Sequence, residues 1–594
     1  MASLDPPLSS PRLERIQRWL VSPRAPLWIA AAVALLFGVP ALGNGLALDD
    51  LLILREQAGG HASLTMFELG AANPGELMSA RADGLFPWWT SDALEVSLFR
   101  PLSALTHALD LARWPGSPRL MHAHSVVWYV VLVLALAALL RRLVAAAGAP
   151  AWVAGLALLV YAIDDAHAIN VGWLAARNSL IGAAFAVLAL TAYSRARLAD
   201  WRPGALLGPL ALALALLASE ASIAIVGYLV AHTLVFETST PWRARARALL
   251  PYGLVVVAWL VLYRALGHGV AACGLYSDPF AAPLTFLGDA LGRGALLVAA
   301  ELGLPLVVEL LAYVPGSEIV APLIAIVACA IVGLVLRPLL RRAPLARFAA
   351  LGMVLAALAH GTTVPQERYL LLIGIGGATL IACVLAELNA RALRPRLARM
   401  LAWSWVVLHL ILPLLLAGPR ATGTTMVHQS IERAALALPS AGDDGAIVLI
   451  NAPGDLFALY GPTIRARAGL HPAGSHLLHA GGGGLEVTRD DARTLRIRSE
   501  RGWLAAPGDR VLRDRAHPQA VGERVHLRGL EVVVAAIDER GAPTEITVEL
   551  AADGVADAIH WLVWSVDRPR PWTPPAIGER VHVDPAVWDF AAGG

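Results

Sequence analysis

The sequence contains no lysine; all 47 of its basic residues are arginine, a bias that fits a GC-rich genome better than a functional need. Charge of either sign is scarce: 15% of residues are charged, against about 25% in an ordinary soluble domain. A formal net charge of +2 is too small for the basic footprint of a nucleic-acid-binding chain. Cysteine is almost missing. Cys273, Cys329 and Cys383 lie far apart, two of them in apolar runs, and give neither a disulfide framework nor a metal cluster. Gly374-x-Gly376-Gly377 sits inside an apolar run, not between a strand and a helix, so a dinucleotide-binding loop is excluded.

What is abundant is apolar sequence, 57% of the chain, with a mean hydropathy of +0.61. A membrane crossing needs roughly 20 mainly apolar residues, with arginine favoured on the cytoplasmic flank. Eleven runs qualify: 25–45, then near 124–140, 150–163, 178–194, 204–218, 221–236, 250–265, 320–336, 344–360, 369–386 and 400–418. Ala41-Leu42-Gly43 would serve as a signal-peptide cleavage site, but the polytopic pattern continues directly, so the first run is read as retained. Arginines at 12–24, 141–142, 195–202, 243–247, 337–347 and 391–399 all fall inside if the stretch 284–313 adds no crossing. That stretch carries Asp289, Arg293, Glu301 and Pro305 and is read as re-entrant or interfacial. The expected fold is an α-helical polytopic membrane protein. It has a cytoplasmic segment 1–24, a transmembrane domain 25–419 of about eleven helices, and a soluble C-terminal α+β domain 420–594 outside.

Two outer regions stand out. The first loop, 46–121, mixes Asp49, Asp50, Glu56, Glu68, Glu76, Asp83 and Asp92 with Trp88 and Trp89. Its apolar patches Leu51–Leu54 and Leu98–Leu111 fit helices lying on the membrane surface. In the second region, residues 424–438 read as helix and Ala446–Ile450 as a buried strand opening onto Asn451-Ala452-Pro453-Gly454 and a further helix. Strands follow, among them Glu531–Ile537 and Ile546–Leu550 about a turn at Asp538–Gly541. The segment Val521-Gly-Glu-Arg-Val-His-Leu is echoed by Ile577-Gly-Glu-Arg-Val-His-Val and predicts two similarly built strands.

Polar groups near membrane depth are costly and are functional candidates by default. On the expected outer face they gather at Asp49 and Asp50, at Arg100 and His107, at Asp164, Asp165, His167 and Arg177, at Glu220, and at Glu367-Arg368-Tyr369. Carboxylates beside arginines suit a phosphate-bearing substrate and a proton transfer: a carboxylate as general base, guanidinium groups as bidentate phosphate holders. Blander readings stand beside these. The acidic pair can cap a helix, the arginines can snorkel to headgroups, and Asp164-Asp165 can be a polar turn. His471, His476 and His479 have loose metal-ligand spacing but no cysteine or carboxylate set with them. Trp561, Trp564 and Trp572 fit either a sugar-stacking platform or a strand core. Gly481–Gly484 reads as a turn.

The order Leu48-Asp49-Asp50, Phe99-Arg100-Pro101-Leu102, His122, His167 with Val171-Gly172-Trp173 and Arg177, Ser219-Glu220, and Glu367-Arg368-Tyr369 resembles the GT-C class of integral-membrane glycosyltransferases. Within that class it is most similar to protein O-mannosyltransferase-like and TMTC-like bacterial proteins, over roughly residues 25–418. The resemblance implies a bacterial inner-membrane enzyme. It would move a sugar from a polyprenyl-phosphate donor to a hydroxyl of a lipid, glycan or protein acceptor at the outer leaflet. It also implies Asp49 or Asp50 as catalytic base, with the acidic pair helping to place a divalent metal ion or the acceptor. Arg100, His107, His122, Asp165, His167, Arg177, Glu220, Glu367, Arg368 and Tyr369 would then form the substrate site. The chain departs from the family pattern at Asp164-Asp165, where relatives have His-Pro, and at Ile169, Ser125, Tyr129 and Ser219. Two rival readings remain: a lipid-linked sugar transporter, and a non-catalytic membrane scaffold working through residues 420–594.

Overall fold

The computed structural model describes residues 11–52, 66–70, 74–304, 317–390, 396–439, 446–472, 474–505, 507–551, 559–565 and 568–586. Ile53, Leu54, Glu56, Arg391, Arg394 and the 305–313 part of the expected re-entrant stretch lie outside them.

Helices dominate. Eight among the described residues are long and apolar enough to cross a membrane: Pro118–Ala146, Leu174–Leu198, Trp242–Ala265, Pro283–Glu301, Ser317–Arg342, Pro344–Thr362, Glu367–Asn389 and Arg396–Leu436. Two bent pairs qualify when joined, Pro11–Val21 with Ala25–Ala41 at 91° and Trp152–Ala162 with Ala166–Gly172 at 57°. Gly204–Ala218 and Glu220–Phe236 are apolar but shorter. Every one of the eleven apolar runs therefore lies in helix, and among the described residues length and composition alone pass eight to ten as spans. Pro283–Glu301, set aside in the sequence reading, passes the same test.

Proline opens the helices at Pro101, Pro118, Pro283 and Pro344, where its missing N–H costs no hydrogen bond. The 57° break follows from Asp164, whose carboxylate accepts the Ala166 N–H at 3.0 Å and turns the chain. At the centre, every residue from Leu370 to Leu385 is buried. At the rim, Leu254, Val257 and Val261 on one helix and Ile319, Leu323 and Leu334 on another are exposed. Such apolar stripes suit hydrocarbon, not water.

The bundle has two unlike ends. At one, Arg141 donates to the Ser22 carbonyl (2.9 Å), Arg197 pairs with Glu237 (2.5 Å) and Arg342 with Glu387. The other meets the C-terminal domain. There Gly274 N–H donates to the Arg510 carbonyl (2.8 Å), while Arg510 and Arg515 reach Glu318 at 3.5 and 2.9 Å. Residues before and after Pro283–Glu301 thus touch the same short segment.

The C-terminal region holds two sheets. One, in spatial order 568–571, 559–565, 446–449, 476–477, is parallel across its centre, with helix Asp455–Arg467 joining the last two strands. The other is antiparallel, ordered 580–583, 485–489, 494–499, 543–550, 530–537, 524–527. The two echoed segments form its opposite edges. Each enters by the same turn: Gly522 (φ 86°) and Gly578 (φ 83°) take the left-handed backbone. Glu523 and Glu579 then accept the N–H of Ala520 (3.0 Å) and Ala576 (2.9 Å). Trp561 and Trp564 are buried core residues. His471, His476 and His479 contact three different partners, the Asp83 carbonyl, the Arg528 carbonyl and the Ser499 hydroxyl.

The first loop is not a separate surface structure. Trp88 and Trp89 insert into the core of the six-stranded sheet, with Trp88 ring-to-ring at 5.8 Å from Trp89 and 5.7 Å from Trp503. Arg513 donates to the Trp89 carbonyl (2.8 Å), and Arg528 N–H to the Ala82 carbonyl (2.9 Å). A Cβ on Gly84 would meet the Ser475 carbonyl at 1.7 Å, so only glycine allows this approach. A small sheet of 68–70, 95–97 and 269–271 ties the same loop to the 266–282 connection. Pro101–Arg113, with Leu105 and Leu109 exposed, does have the form of a surface helix.

Candidate functional site

The site is built around the turn that follows the first bundle helix. Four contacts pin it. Asn44 donates to the carbonyls of Gly172 and Ala421 (both 2.8 Å), and His122 Nε2 lies 3.2 Å from the Gly45 carbonyl. Trp173 donates to the Ala47 carbonyl at 3.2 Å. Gly172 is required, since a Cβ there would meet the Ala421 carbonyl at 1.9 Å. Leu48 is then forced into the left-handed region at φ 51°. A branched-chain residue there stores about 1–2 kcal/mol of strain. That strained residue aims Asp49.

The two carboxylates diverge. Asp50 is buried and accepts the N–H groups of Ala47 (2.9 Å) and Ala175 (2.8 Å), one on each oxygen. Burial pushes its pKa up to about 7; the two backbone donors oppose the rise, the Asp49 charge adds to it, and Arg177 lowers it. Asp49 is half-buried, and its Oδ1 accepts the hydroxyl of Tyr460 at 2.5 Å. Tyr460 comes from helix Asp455–Arg467 of the C-terminal domain. Burial, then the Asp49 carboxylate, holds its phenol well above the ordinary range and keeps it a donor.

Arg368 lies over Trp173, whose indole N–H holds the Ala47 carbonyl of the same turn. Its guanidinium lies between the rings of Trp173 (5.0 Å) and Tyr369 (5.1 Å), donates to the Tyr369 hydroxyl at 3.0 Å, and has a buried Nε with no partner. No ion pair to it is formed among the described residues. Next to it, Arg100 is bidentate on Glu220, with Nε to Oε2 at 2.8 Å, and stacks over Phe67 at 5.2 Å. Burial alone would lower the Arg100 pKa, but the charge and hydrogen bonding of Glu220, with Tyr276 and Tyr369, together outweigh it and the net shift is upward. Tyr276 lies close to Tyr369, Arg100, Arg368 and Glu220; burial raises its pKa, Tyr369 adds to the rise, and the two arginines oppose it. One carboxylate, one unpaired guanidinium, one tied Arg–Glu pair and three phenols therefore meet at the end facing the C-terminal domain. Such a cluster can accept a proton and hold an oxyanion.

Other sequence candidates have internal duties. Arg177 is fully buried, donating to Asp110 (2.5 Å), Ser125 (2.9 Å) and the Met121 carbonyl (2.7 Å), so it is a strut and not a free phosphate holder. His107 packs on Phe67 at 6.0 Å with its Nε2 unpartnered; burial, with help from Arg177 and His124, keeps it neutral. His167 lies against Tyr161 (ring centroids 4.4 Å apart) and near the Tyr129 hydroxyl (3.2 Å). Asp165 and Glu367 share Arg420, the first at 3.0 Å. Arg420, Tyr460 and Asn44 were not singled out from the sequence. The first two lie in or beside the C-terminal region, and only three-dimensional contact brings them here.

A metal ion fits poorly. Both Asp50 oxygens are taken by backbone donors. Among the described residues no group of three or more His, Cys, Asp or Glu is arranged to hold one. No protein-family model matches the sequence, and no curated protein matches it.

Proposed function

We propose that the chain is a GT-C-like membrane glycosyltransferase that moves a sugar from a polyprenyl-phosphate donor to a hydroxyl acceptor, at the leaflet facing the C-terminal domain. The observation that carries this reading is the Tyr460 hydroxyl on Asp49, with Arg368 brought to the same turn over Trp173, from distant parts of the chain. Asp49 would take the acceptor proton as its oxygen attacks the anomeric carbon. The bond from that carbon to the phosphate oxygen would break with inversion, and the departing phosphate would keep the bonding pair as negative charge held by Arg368. Arg100, already tied to Glu220, would add a fixed positive field behind it.

Eleven crossings follow if Gly204–Ala218 and Glu220–Phe236 span in spite of their length and Pro283–Glu301 dips in and returns. Support comes from Arg510 contacting both flanks of that helix. With the arginine-rich end cytoplasmic, the site and residues 446–586 face outward, as a bacterial inner-membrane enzyme with a periplasmic domain would require.

The scaffold reading draws on one specific observation, that Asp49 is already satisfied by Tyr460. Substitution of Asp49 by Asn, tested in nanodiscs with a panel of polyprenyl-phosphate sugars, separates the two. Removing a general base should slow release of polyprenyl phosphate about 10²–10⁴-fold. Turnover equal to wild type sinks the assignment. No turnover by wild type across the panel favours the scaffold.

A further inference from the structure

At the end away from the C-terminal domain, helix Pro11–Val21 lies at 91° to the helix Ala25–Ala41 that follows it. A segment perpendicular to a membrane helix runs along the bilayer surface. Its composition is two-faced: Leu13, Ile16 and Trp19 are exposed, Ile16 by 54%, while Arg15 and Arg18 lie to one side of that stripe with Glu14 beyond them, and Arg12 opens the stripe at the first turn. In water this exposed apolar surface would be unfavourable. It is covered if the helix sinks to the headgroup level.

The surroundings are positive. Arg24 follows directly, Arg141 reaches back to the Ser22 carbonyl at 2.9 Å, and Arg142 lies near enough to Arg195 for the two to repel. A groove of about 540 Å³ opens between this helix and Trp152, lined by Glu14, Gln17, Arg18 and Val21. Like charges held together beside exposed apolar side chains call for a partner that is both anionic and greasy.

We infer that Pro11–Val21 and its arginines form a docking surface for anionic phospholipid, with Ile16 and Trp19 in the acyl boundary and Arg12, Arg15 and Arg18 on the headgroup phosphates. The surface stands apart from the Asp49 site and does not depend on what that site does. Each arginine near an anionic bilayer contributes about a fivefold factor to docking. The surface therefore discriminates between neutral and anionic leaflets.

Hydrogen exchange of the full-length protein in nanodiscs tests this. Backbone amides of residues 13–21 should exchange at least about tenfold more slowly in phosphatidylcholine mixed with phosphatidylglycerol than in phosphatidylcholine alone. The variant Arg12→Gln/Arg15→Gln/Arg18→Gln should lose that difference, and Ile16→Gln/Trp19→Gln should exchange fast in both lipids. Equal protection of the wild type in both lipids overturns the proposal. So does protection by inorganic phosphate added to phosphatidylcholine discs, which would mark a free-anion site, and so does protection that depends on protein concentration, which would mark a second copy of the chain.

Discussion

Replacing Trp88 by Ala tests whether the first loop belongs to the core of the C-terminal domain. Trp88 is 1% exposed and makes edge-on contacts with Trp89 and Trp503. Its indole N–H donates to the Leu478 carbonyl at 2.9 Å, an acceptor that Trp503 also reaches at 2.9 Å. The carbonyl therefore keeps a donor in the variant, and the cost is mainly the cavity. Removing a buried Trp costs about 3–5 kcal/mol, with each lost aromatic pair worth about 0.5–1.5 kcal/mol within that range. Urea titration of the protein in nanodiscs, read by proteolysis of the C-terminal domain, reports the loss. Leu105→Ala, on the exposed face of a helix in the same loop, should stay within about 0.5 kcal/mol of wild type. A Trp88→Ala loss below about 1 kcal/mol would refute the shared core. The same geometry makes deletion of residues 420–594 a poor test of a scaffold role. It would remove Tyr460 and Arg420 and strip the cover from Trp88.

Asp50 binds a proton more readily folded (pKa about 7) than unfolded (about 3.9). Its contribution to stability is thus full below about pH 4 and declines as pH rises to about 7, by up to about 4 kcal/mol. Asp50→Asn should flatten that decline in unfolding titrations across the range. His479, buried and held near 4, behaves oppositely. The folded domain loses stability as pH falls from about 6.5 toward 4, by up to about 3 kcal/mol, and His479→Gln should remove that acid sensitivity of domain unfolding. Arg420→Met takes the shared cation from Glu367, which is 2% exposed, and from Asp165. It should cost about 3–5 kcal/mol in thermal unfolding, partly recovered by adding Glu367→Gln.

Sequence reading located the helices because long apolar runs and flanking arginines are local signals; all eleven runs are helical. It set 284–313 apart on Asp289, Arg293, Glu301 and Pro305, yet Pro283–Glu301 is itself long and apolar enough to cross, while Gly274 before it and Glu318 after it both meet the segment around Arg510. Long-range partners were invisible. Arg177 and Arg368 look alike as single outer arginines, yet one is buried among Asp110, Ser125 and a carbonyl while the other stacks between two rings with a nitrogen unpaired. Trp88 and Trp89 look like an interfacial aromatic pair until a sheet more than 300 residues away closes over them. Asp49 and Asp50 share a sequence motif, but pleating of the turn at Leu48 sends one to Tyr460 and the other to two backbone donors.

Sugar transfer at this site requires a phosphate to be held beside Asp49, Arg368 and Tyr460. Equilibrium binding of a short polyprenyl phosphate to the protein in nanodiscs measures this directly. Arg368→Gln should weaken binding about 10–100-fold, the worth of one charge-assisted contact, while Asp49→Asn, which removes a repelling carboxylate, should bind at least as tightly as wild type. Equal binding by wild type and Arg368→Gln would contradict it.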